Sequence, residues 1–337
     1  MEPRDIYVMA ESFDWMTCPN VWRTKVHSNY IEILMATYNG EKYIADQLAS
    51  IRSQTIEDWR LLISDDCSTD KTVEIVSQFA KDDPRISIIS RGERFGGAVP
   101  NFYNLIHRSN ASYIMCCDQD DVWNNNKIEV TLREMSSLER RYGCNVPILV
   151  STDVEVVDEQ LRSLERSMLE SEKLSCKSYL PHSLVENNVI GCTLMANRAL
   201  VNLAKRQIPF ECIVMHDWWL NLIAQACGHS SILPVQTMKY RQHGNNVAGA
   251  SYSPIDAFRK FDFDRSRKDW NRIVCQARLL LDRYANELDS KAYDMVDSFI
   301  SLYEKKSFIN LYRLLKHGYR CYAPLRLASQ IGMFFLR

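Results

Sequence analysis

No stretch of this 337-residue chain holds enough consecutive apolar residues to span a bilayer, so no transmembrane helix is read from it. Its first residues lack a basic segment followed by an apolar one, so no secretory signal is read there. No C-x-x-C pair occurs among the eleven cysteines. Several cysteines sit inside apolar runs (Cys116, Cys117, Cys192), which disfavours a zinc site and a disulfide framework. Buried free thiols in a reducing cytosol are expected instead. Neither sign of charge is in excess, with 41 Lys and Arg against 42 Asp and Glu. No global field therefore points to a nucleic-acid partner. No G-x-G-x-x-G follows the first apolar run and no P-loop lysine is present. A dinucleotide fold and P-loop ATP hydrolysis are thereby disfavoured.

What is present is a globular composition, 46% hydrophobic and 25% charged, in a chain long enough for a substantial core. Residues 1–29 are polar with scattered aromatics and read as an extension. From Tyr30 onward apolar runs alternate with helical patterns. Strands are expected at Ile31–Ala36, Trp59–Ser64, Arg85–Ile89, Tyr113–Cys117 and Ile148–Val154. Helices are expected at about 41–53, 68–80, 99–108 and 124–141. That alternation predicts an α/β fold, a doubly wound and mostly parallel sheet flanked by helices. Beyond about residue 155 it weakens: strands are expected at Gly191–Met195 and Ile232–Val235, and helices at about 197–207 and 215–228. A helical C-terminal extension is expected from about Ser253.

Right-handed crossovers place every strand-to-helix loop at one sheet edge. Thr37, Tyr38, Asn39, Asp65, Asp66, Gly96 and the Asp118-Gln119-Asp120-Asp121 turn should therefore line one crevice. A buried strand ending in three carboxylates within four residues is self-repelling unless a cation sits among them. Mg2+ or Mn2+ held by Asp118 and Asp120, sharing phosphate oxygens with a substrate, suits such a site. An acidic turn that caps the next helix is the plainer alternative. Asp65 is placed to accept from the imide N–H of a pyrimidine, with Thr37 and Tyr38 beside base and ribose.

Ala36-Thr37-Tyr38-Asn39-Gly40, Ser64-Asp65-Asp66-Cys67-Ser68-Thr69-Asp70 and Asp118-Gln119-Asp120-Asp121-Val122-Trp123 resemble the N-terminal motifs of family 2 glycosyltransferases with the GT-A fold. His216-Asp217-Trp218-Trp219 and Tyr240-Arg241-Gln242-His243-Gly244-Asn245-Asn246 resemble C-terminal motifs of one bacterial branch. That branch contains rhamnosyltransferases of O-antigen, capsule and cell-wall polysaccharide synthesis. Cys67 departs from the family, which usually has Gly there. The resemblance spans roughly residues 30–250. It implies a GT-A domain with a nucleotide-sugar half (30–150) and an acceptor half (151–250), followed by a helical region at 251–337.

The activity so implied is inverting, metal-dependent transfer of a sugar from a dTDP- or UDP-linked donor, such as dTDP-rhamnose or a UDP-hexose, to a glycan or lipid-linked glycan. A catalytically inert nucleotide-binding or scaffold protein is the competing class. The family's general base falls on Asp217, with His216 as the other candidate and a helix cap as the plain alternative. Arg241 and His243 resemble a loop closing on the diphosphate, with His243 completing the metal's ligands. Trp218 and Trp219 are an acceptor platform or part of the core. The C-terminal segments Leu311–Lys316 and Tyr322–Arg337 mix Lys and Arg with Leu, Ile, Met and Phe. They suit either a helix lying on an anionic membrane or one packed on the domain. Localisation is expected in the cytoplasm, or peripheral on the inner face of the plasma membrane.

Overall fold

A computed structural model describes residues 31–243 and 263–335. The expected extension at 1–29, motif residues Gly244, Asn245 and Asn246, and the domain boundary at 250 lie outside them. The first half follows the expected alternation: β1 (Ile31–Thr37), α1 (Ile44–Arg52), β2 (Trp59–Asp65), α2 (Thr72–Asp82), β3 (Ile86–Ser90), α3 (Ala98–Arg108) and β4 (Tyr113–Cys117). After a two-residue β5 (Val122–Trp123) come α4 (Lys127–Tyr142), β6 (Ile148–Val157) and β7 (Ser163–Glu165). Two short helices, α5 (Met168–Ser171) and α6 (Leu180–Ser183), lead to β8 (Met195–Asn197), α7 (Arg198–Ala204), α8 (His216–Cys227) and β9 (His229–Arg241).

β3, β2, β1 and β4 pair in parallel, in that order. β4 is covered on both sides, so all five of its residues are apolar and buried. Beyond β4 the sheet becomes mixed. β8 runs antiparallel between β4 and β6, and β9 lies parallel to β6 and pairs antiparallel with β5. α3 packs on β1 and β2, while α4 and α8 pack on β6. This is the mostly parallel, helix-flanked sheet that the motifs imply.

Two of the departures from expectation have a visible local cause. Gly191–Thr193 is a 3-10 turn, and only Met195–Asn197 is strand. The Thr193 hydroxyl donates to the Ile190 carbonyl at 2.7 Å, closing the chain into a turn before it reaches the sheet. The α7 helix begins one residue later than expected because the Asn197 side chain caps it, accepting from Leu200 N at 3.1 Å.

The C-terminal region is helical, with α9 (Phe263–Tyr284), α10 (Ser290–Glu304), α11 (Phe308–Lys316) and α12 (Pro324–Phe335). α9 packs on α8 and α12, and α10 packs on α6 and α8. Aromatic contacts knit them together: Trp219 to Tyr284, Trp270 to Tyr303 and Tyr303 to Phe334, with ring centres 5.9, 6.1 and 5.6 Å apart. One cysteine expectation is corrected. Cys212 and Cys275, 63 residues apart, form a disulfide, which ties the segment before α8 to α9. Their Cα atoms lie 5.2 Å apart, and the packing of α9 on that segment brings them together. No helix among the described residues is long and apolar enough to cross a membrane.

Candidate active site

A crevice of about 970 Å³ opens at the carboxyl ends of β1, β2 and β4. Thr37, Tyr38, Asn39, Asp66, Gly97, Asp118 and Asp120 line it from one side. His216, Asp217 and His243 line it as well. The expected convergence of loops is therefore present.

The β1 loop is held by a side chain from the acidic turn. Gln119 accepts from Tyr38 N at 3.0 Å and donates to the Tyr38 carbonyl at 2.9 Å. A Cβ on Gly40 would come within 2.3 Å of Gln119 Oε1, so a larger residue there would push the Gln119 amide off the Tyr38 backbone. Asn39 adopts a left-handed φ of 48° and accepts from Thr69 N at 2.8 Å, joining the β1 and β2 loops. Tyr38 is left 52% exposed at the crevice wall.

Asp65 and Asp66 do different work from that expected of Asp65. Asp65 is buried behind the wall. Its carboxylate accepts from Thr37 Oγ1 at 2.8 Å, from Ser68 N at 2.8 Å and from Ser68 Oγ at 2.6 Å. Those bonds hold it as the organiser of its own turn, so it does not present itself to a base. Asp66 reaches the crevice and folds the glycine loop. Gly96 N and Gly97 N donate to it at 3.1 and 3.0 Å, and Phe95 N donates as well. Gly96 and Gly97 have φ of 80° and 146°, a run that L side chains rarely adopt.

Asp118 is half-buried. Burial, and then the charges of Asp120 and Asp217, push its carboxyl up to about 7. His243 Nε2 lies 2.7 Å from Asp120 Oδ2, and the His243 ring stacks on Tyr43. Asp118, Asp120 and His243 thus share the crevice as expected. Beneath them lies Asp121, fully buried, with burial and the two neighbouring carboxylates raising its carboxyl well up. Arg241 N donates to Asp121 Oδ1 at 3.0 Å, while Oδ2 has no protein partner. Ligating atoms of Asp118, Asp121 and Cys192 lie within 4.8 Å of one another. An orphaned buried carboxylate oxygen below two crevice carboxylates fits a divalent cation at this place. The oxygen donors suit Mg2+ or Mn2+. Burial holds the Cys192 thiol well up, so it stays protonated beside the carboxylates.

Arg241 does not face a phosphate. Its guanidinium is buried and donates to the Asp120 carbonyl at 2.9 Å, the Glu159 carbonyl at 2.6 Å and Asp46 Oδ2 at 3.0 Å. It also stacks over Tyr43, 4.5 Å from the ring centre. It is a clamp that fixes the acidic turn from behind. Its place at the end of β9 turns it inward.

Asp217 stands in the first turn of α8, 6% exposed, at the crevice wall. Burial pushes its carboxyl up to about 6. Asn187 Nδ2 donates to Oδ2 at 3.1 Å, and Trp218 N donates to Oδ1 at 2.7 Å. A Cβ on Gly191 would sit 3.0 Å from Oδ2, so the glycine leaves the carboxylate room. The surroundings of the other candidate base, His216, suit that role less. It is buried against Phe102 with ring centres 3.9 Å apart, neither ring nitrogen has a protein partner, and burial pushes it down to about 3. A base must bind the proton it takes, and this imidazole holds one only in acid.

Trp218 and Trp219 belong to the core and form no acceptor platform. Trp219 is fully buried, and Trp218 is 7% exposed with its Nε1 donating to the Ser183 carbonyl at 2.6 Å. Four contributors were missed by sequence reasoning. Asn187, Glu172, Arg326 and Glu159 all line the crevice. Arg326, from α12, donates to Glu186 Oε1 at 2.5 Å and to Glu172 Oε2 at 3.0 Å. Asn187, Glu172 and Glu159 sit in no expected strand or helix, and Arg326 sits in an expected C-terminal helix whose reach to the crevice no local pattern shows. Deeper still, Lys127 is fully buried beside the Trp123 ring, and burial lowers it to about 8.

Comparison with known proteins agrees with the geometry. A family model described as glycosyl transferase family 2 matches residues 32–188. The chain is 30% identical over 270 residues to the dTDP-rhamnosyl transferase RfbG of Shigella flexneri, covering 77% of this chain and 89% of that one. It is 27% identical over 200 residues to the UDP-Glc:alpha-D-GlcNAc-diphosphoundecaprenol beta-1,3-glucosyltransferase WfgD of Escherichia coli, covering 57% and 69%. Its fold is similar to that of S. aureus TarS 1-349 in complex with UDP-GlcNAc, with a TM-score of 0.55 at 15% identity over 86% of this chain and 79% of that one. With a crevice built from the family's motifs and a relative matched across most of both chains, this chain belongs to glycosyl transferase family 2.

Proposed function

We propose that this chain transfers a sugar, with inversion, from a nucleoside diphosphate donor to a hydroxyl of a glycan or lipid-linked glycan during synthesis of a bacterial surface polysaccharide. The observation that carries the reading is Asp217: a buried carboxylate raised to about 6, open to the same crevice as Asp118 and Asp120. A base of that strength is ionised at neutral pH yet holds a proton better than an ordinary carboxylate. In a single displacement Asp217 takes the proton of the acceptor hydroxyl. The acceptor oxygen bonds to the anomeric carbon, the bond from that carbon to the diphosphate oxygen breaks, and nucleoside diphosphate leaves. Inversion at the anomeric carbon follows from one in-line step.

Asp118, Asp120 and His243 are the residues that would hold a divalent cation, which supplies charge neutralisation for the diphosphate. Tyr38, exposed at the wall, is placed to stack on the base. Asn39 and Asp66 shape the loops around it, Asp65 and Thr37 brace the turn behind it, and Gly96 gives the glycine loop its bend. A dTDP-rhamnose donor is favoured by the 30% identical relative whose match covers 77% of this chain and 89% of its own. The test is incubation of the purified chain with Mg2+ or Mn2+ and a panel of dTDP- and UDP-sugars, following nucleoside diphosphate release. Release from dTDP-rhamnose is expected. Release from a UDP-hexose alone would shift the donor. No release, together with no thermal stabilisation by any nucleotide, would point to an inert scaffold protein.

A further inference from the structure

The outer side of the C-terminal helices carries an apolar face that nothing among the described residues covers. On α11, Phe308, Ile309 and Tyr312 are 81, 64 and 63% exposed. They fall on one side of the helix, at spacings of one and three residues. On α12, Leu325, Ala328 and Phe335 are exposed, and a Cβ added at Gly332 would meet nothing within 4 Å. Those four positions, spaced three, four and three apart, form one stripe. The two helices meet at Phe308 and Phe335, whose ring centres are 4.9 Å apart, so the stripes join. Scattered exposed apolar residues need no explanation, but a joined face of this kind does.

The charge around the face selects its occupant. Residues 305–335 contain six Lys and Arg and no Asp or Glu, within a chain whose net charge is −1. Lys305, Lys306, Arg313, Lys316 and Arg320 are exposed. The Lys316 ammonium lies 5.8 Å from the Tyr312 ring centre, a cation beside an aromatic at the edge of the face. Apolar side chains ringed by cations match the layered chemistry of an anionic bilayer surface, acyl chain beneath phosphate. A second protein copy would have to bring acid to meet this rim.

We infer that the α11–α12 face docks on the surface of an anionic lipid bilayer, with Phe308, Ile309, Tyr312, Leu325 and Phe335 entering the headgroup boundary and the lysines and arginines meeting lipid phosphates. Docking leaves both helices in the plane of the interface, since neither is long enough to cross. It also brings the crevice near the lipid. Arg326 follows Leu325 directly, and its guanidinium lines the crevice beside Glu172. The inference does not depend on the proposed sugar transfer, because it is read from surface chemistry alone.

The test is co-sedimentation of the full chain with phosphatidylglycerol–phosphatidylcholine vesicles and with pure phosphatidylcholine vesicles. Two variants accompany it: Phe308→Ser/Ile309→Ser/Tyr312→Ser and Lys305→Glu/Arg313→Glu/Lys316→Glu. All six positions are exposed, so both variants should keep the thermal midpoint of the parent. The parent is expected to bind the anionic vesicles and not the neutral ones, and each variant to partition at least about tenfold more weakly. A parent that stays in the supernatant with both vesicles overturns the inference. So does a variant that binds like the parent. A concentration-dependent dimer of the parent that the triple serine variant abolishes would assign the face to a second copy instead.

Discussion

Asn187 Nδ2 donates to Asp217 Oδ2 at 3.1 Å, and this is the one side-chain hydrogen bond to that carboxylate among the described residues. The bond favours the ionised form and aims the carboxylate away from Trp218 N, which holds the other oxygen. Asn187 is therefore a positioning residue. Asn187→Ala should move the acid limb of the pH–rate profile upward from about 6 and lower kcat about tenfold, as loss of a hydrogen bond to a charged group does. Donor KM should hardly change. A variant with the parent's pH profile would deny Asn187 that part.

The base itself sets a trade between activity and stability. Burial raises Asp217 from 3.8 to about 6, so between those values the folded chain holds a proton that the unfolded chain has released. Stability then falls as pH rises through that window, and above about 6 the full cost of burying the charge is present. Asp217→Asn removes the charge. It should abolish transfer by a factor of about 10² to 10⁴ while leaving donor binding intact. It should also raise stability at pH 7.5 by up to about 3 kcal/mol, since each tenfold change in proton affinity is worth about 1.4 kcal/mol. The gain should vanish below about pH 4, where both states are protonated. Denaturant melts of both proteins at the two pH values check the sign. Parental turnover in the variant would remove Asp217 from the role of base.

Cation dependence separates the two ends of the crevice. Asp120, paired with His243, stands among carboxylates that repel one another without a positive charge. Asp120→Ala should weaken donor binding by at least about tenfold in Mn2+ and blunt the effect of adding EDTA, because the cation it helps to hold is already poorly bound. Asp217→Asn should bind donor and cation as the parent does. Calorimetric titration with nucleoside diphosphate, with and without Mn2+, reads both. Equal donor affinity for the parent with and without cation would contradict the assignment of Asp118, Asp120 and His243.

The part of this architecture that the chain announces locally is the part read correctly. β4 is a short, fully apolar run and β1 is one apart from Glu32 and the terminal Thr37, as burial on both faces requires. Their carboxyl-end loops follow from handedness alone. Most of what was not legible depends on contacts with segments distant in sequence. Trp218 and Trp219 read as either an acceptor platform or part of the core, and the choice falls to the core because α9 and α10 cover α8, which leaves ten of its twelve residues buried. Arg241 reads as a phosphate ligand beside His243, yet β9 turns it toward Asp46 and Glu159, which are far from it in sequence. Cys212 and Cys275 meet only because α9 packs on the segment before α8. Asp65 and Asp66 are adjacent and chemically alike, and only the pleat decides that one braces a turn and the other faces the crevice.

Cys67 shows a family departure with a measurable cost. It holds φ of 61°, the left-handed region in which a Cβ crowds the following carbonyl oxygen. Glycine, the family's usual residue, occupies that region freely. The turn keeps its shape regardless, because Ser68 N and Ser68 Oγ are both held by Asp65 and the Ser68 hydroxyl accepts from Asn39 N at 2.9 Å. The backbone there is thus overdetermined by hydrogen bonds and strained by one side chain. Cys67→Gly should raise stability by about 1 kcal/mol, the relief of the left-handed conformation less the entropy that glycine adds to the unfolded chain. Cys67→Val should lower it by a similar amount, since a branched Cβ is crowded further. Donor affinity should be unchanged by the glycine variant, because the loop geometry that Asp65 enforces is already in place. Thermal melts of the three proteins, with nucleotide titration of each, check both halves. A glycine variant that melted below the parent would show that the thiol makes a contact worth more than the strain it causes.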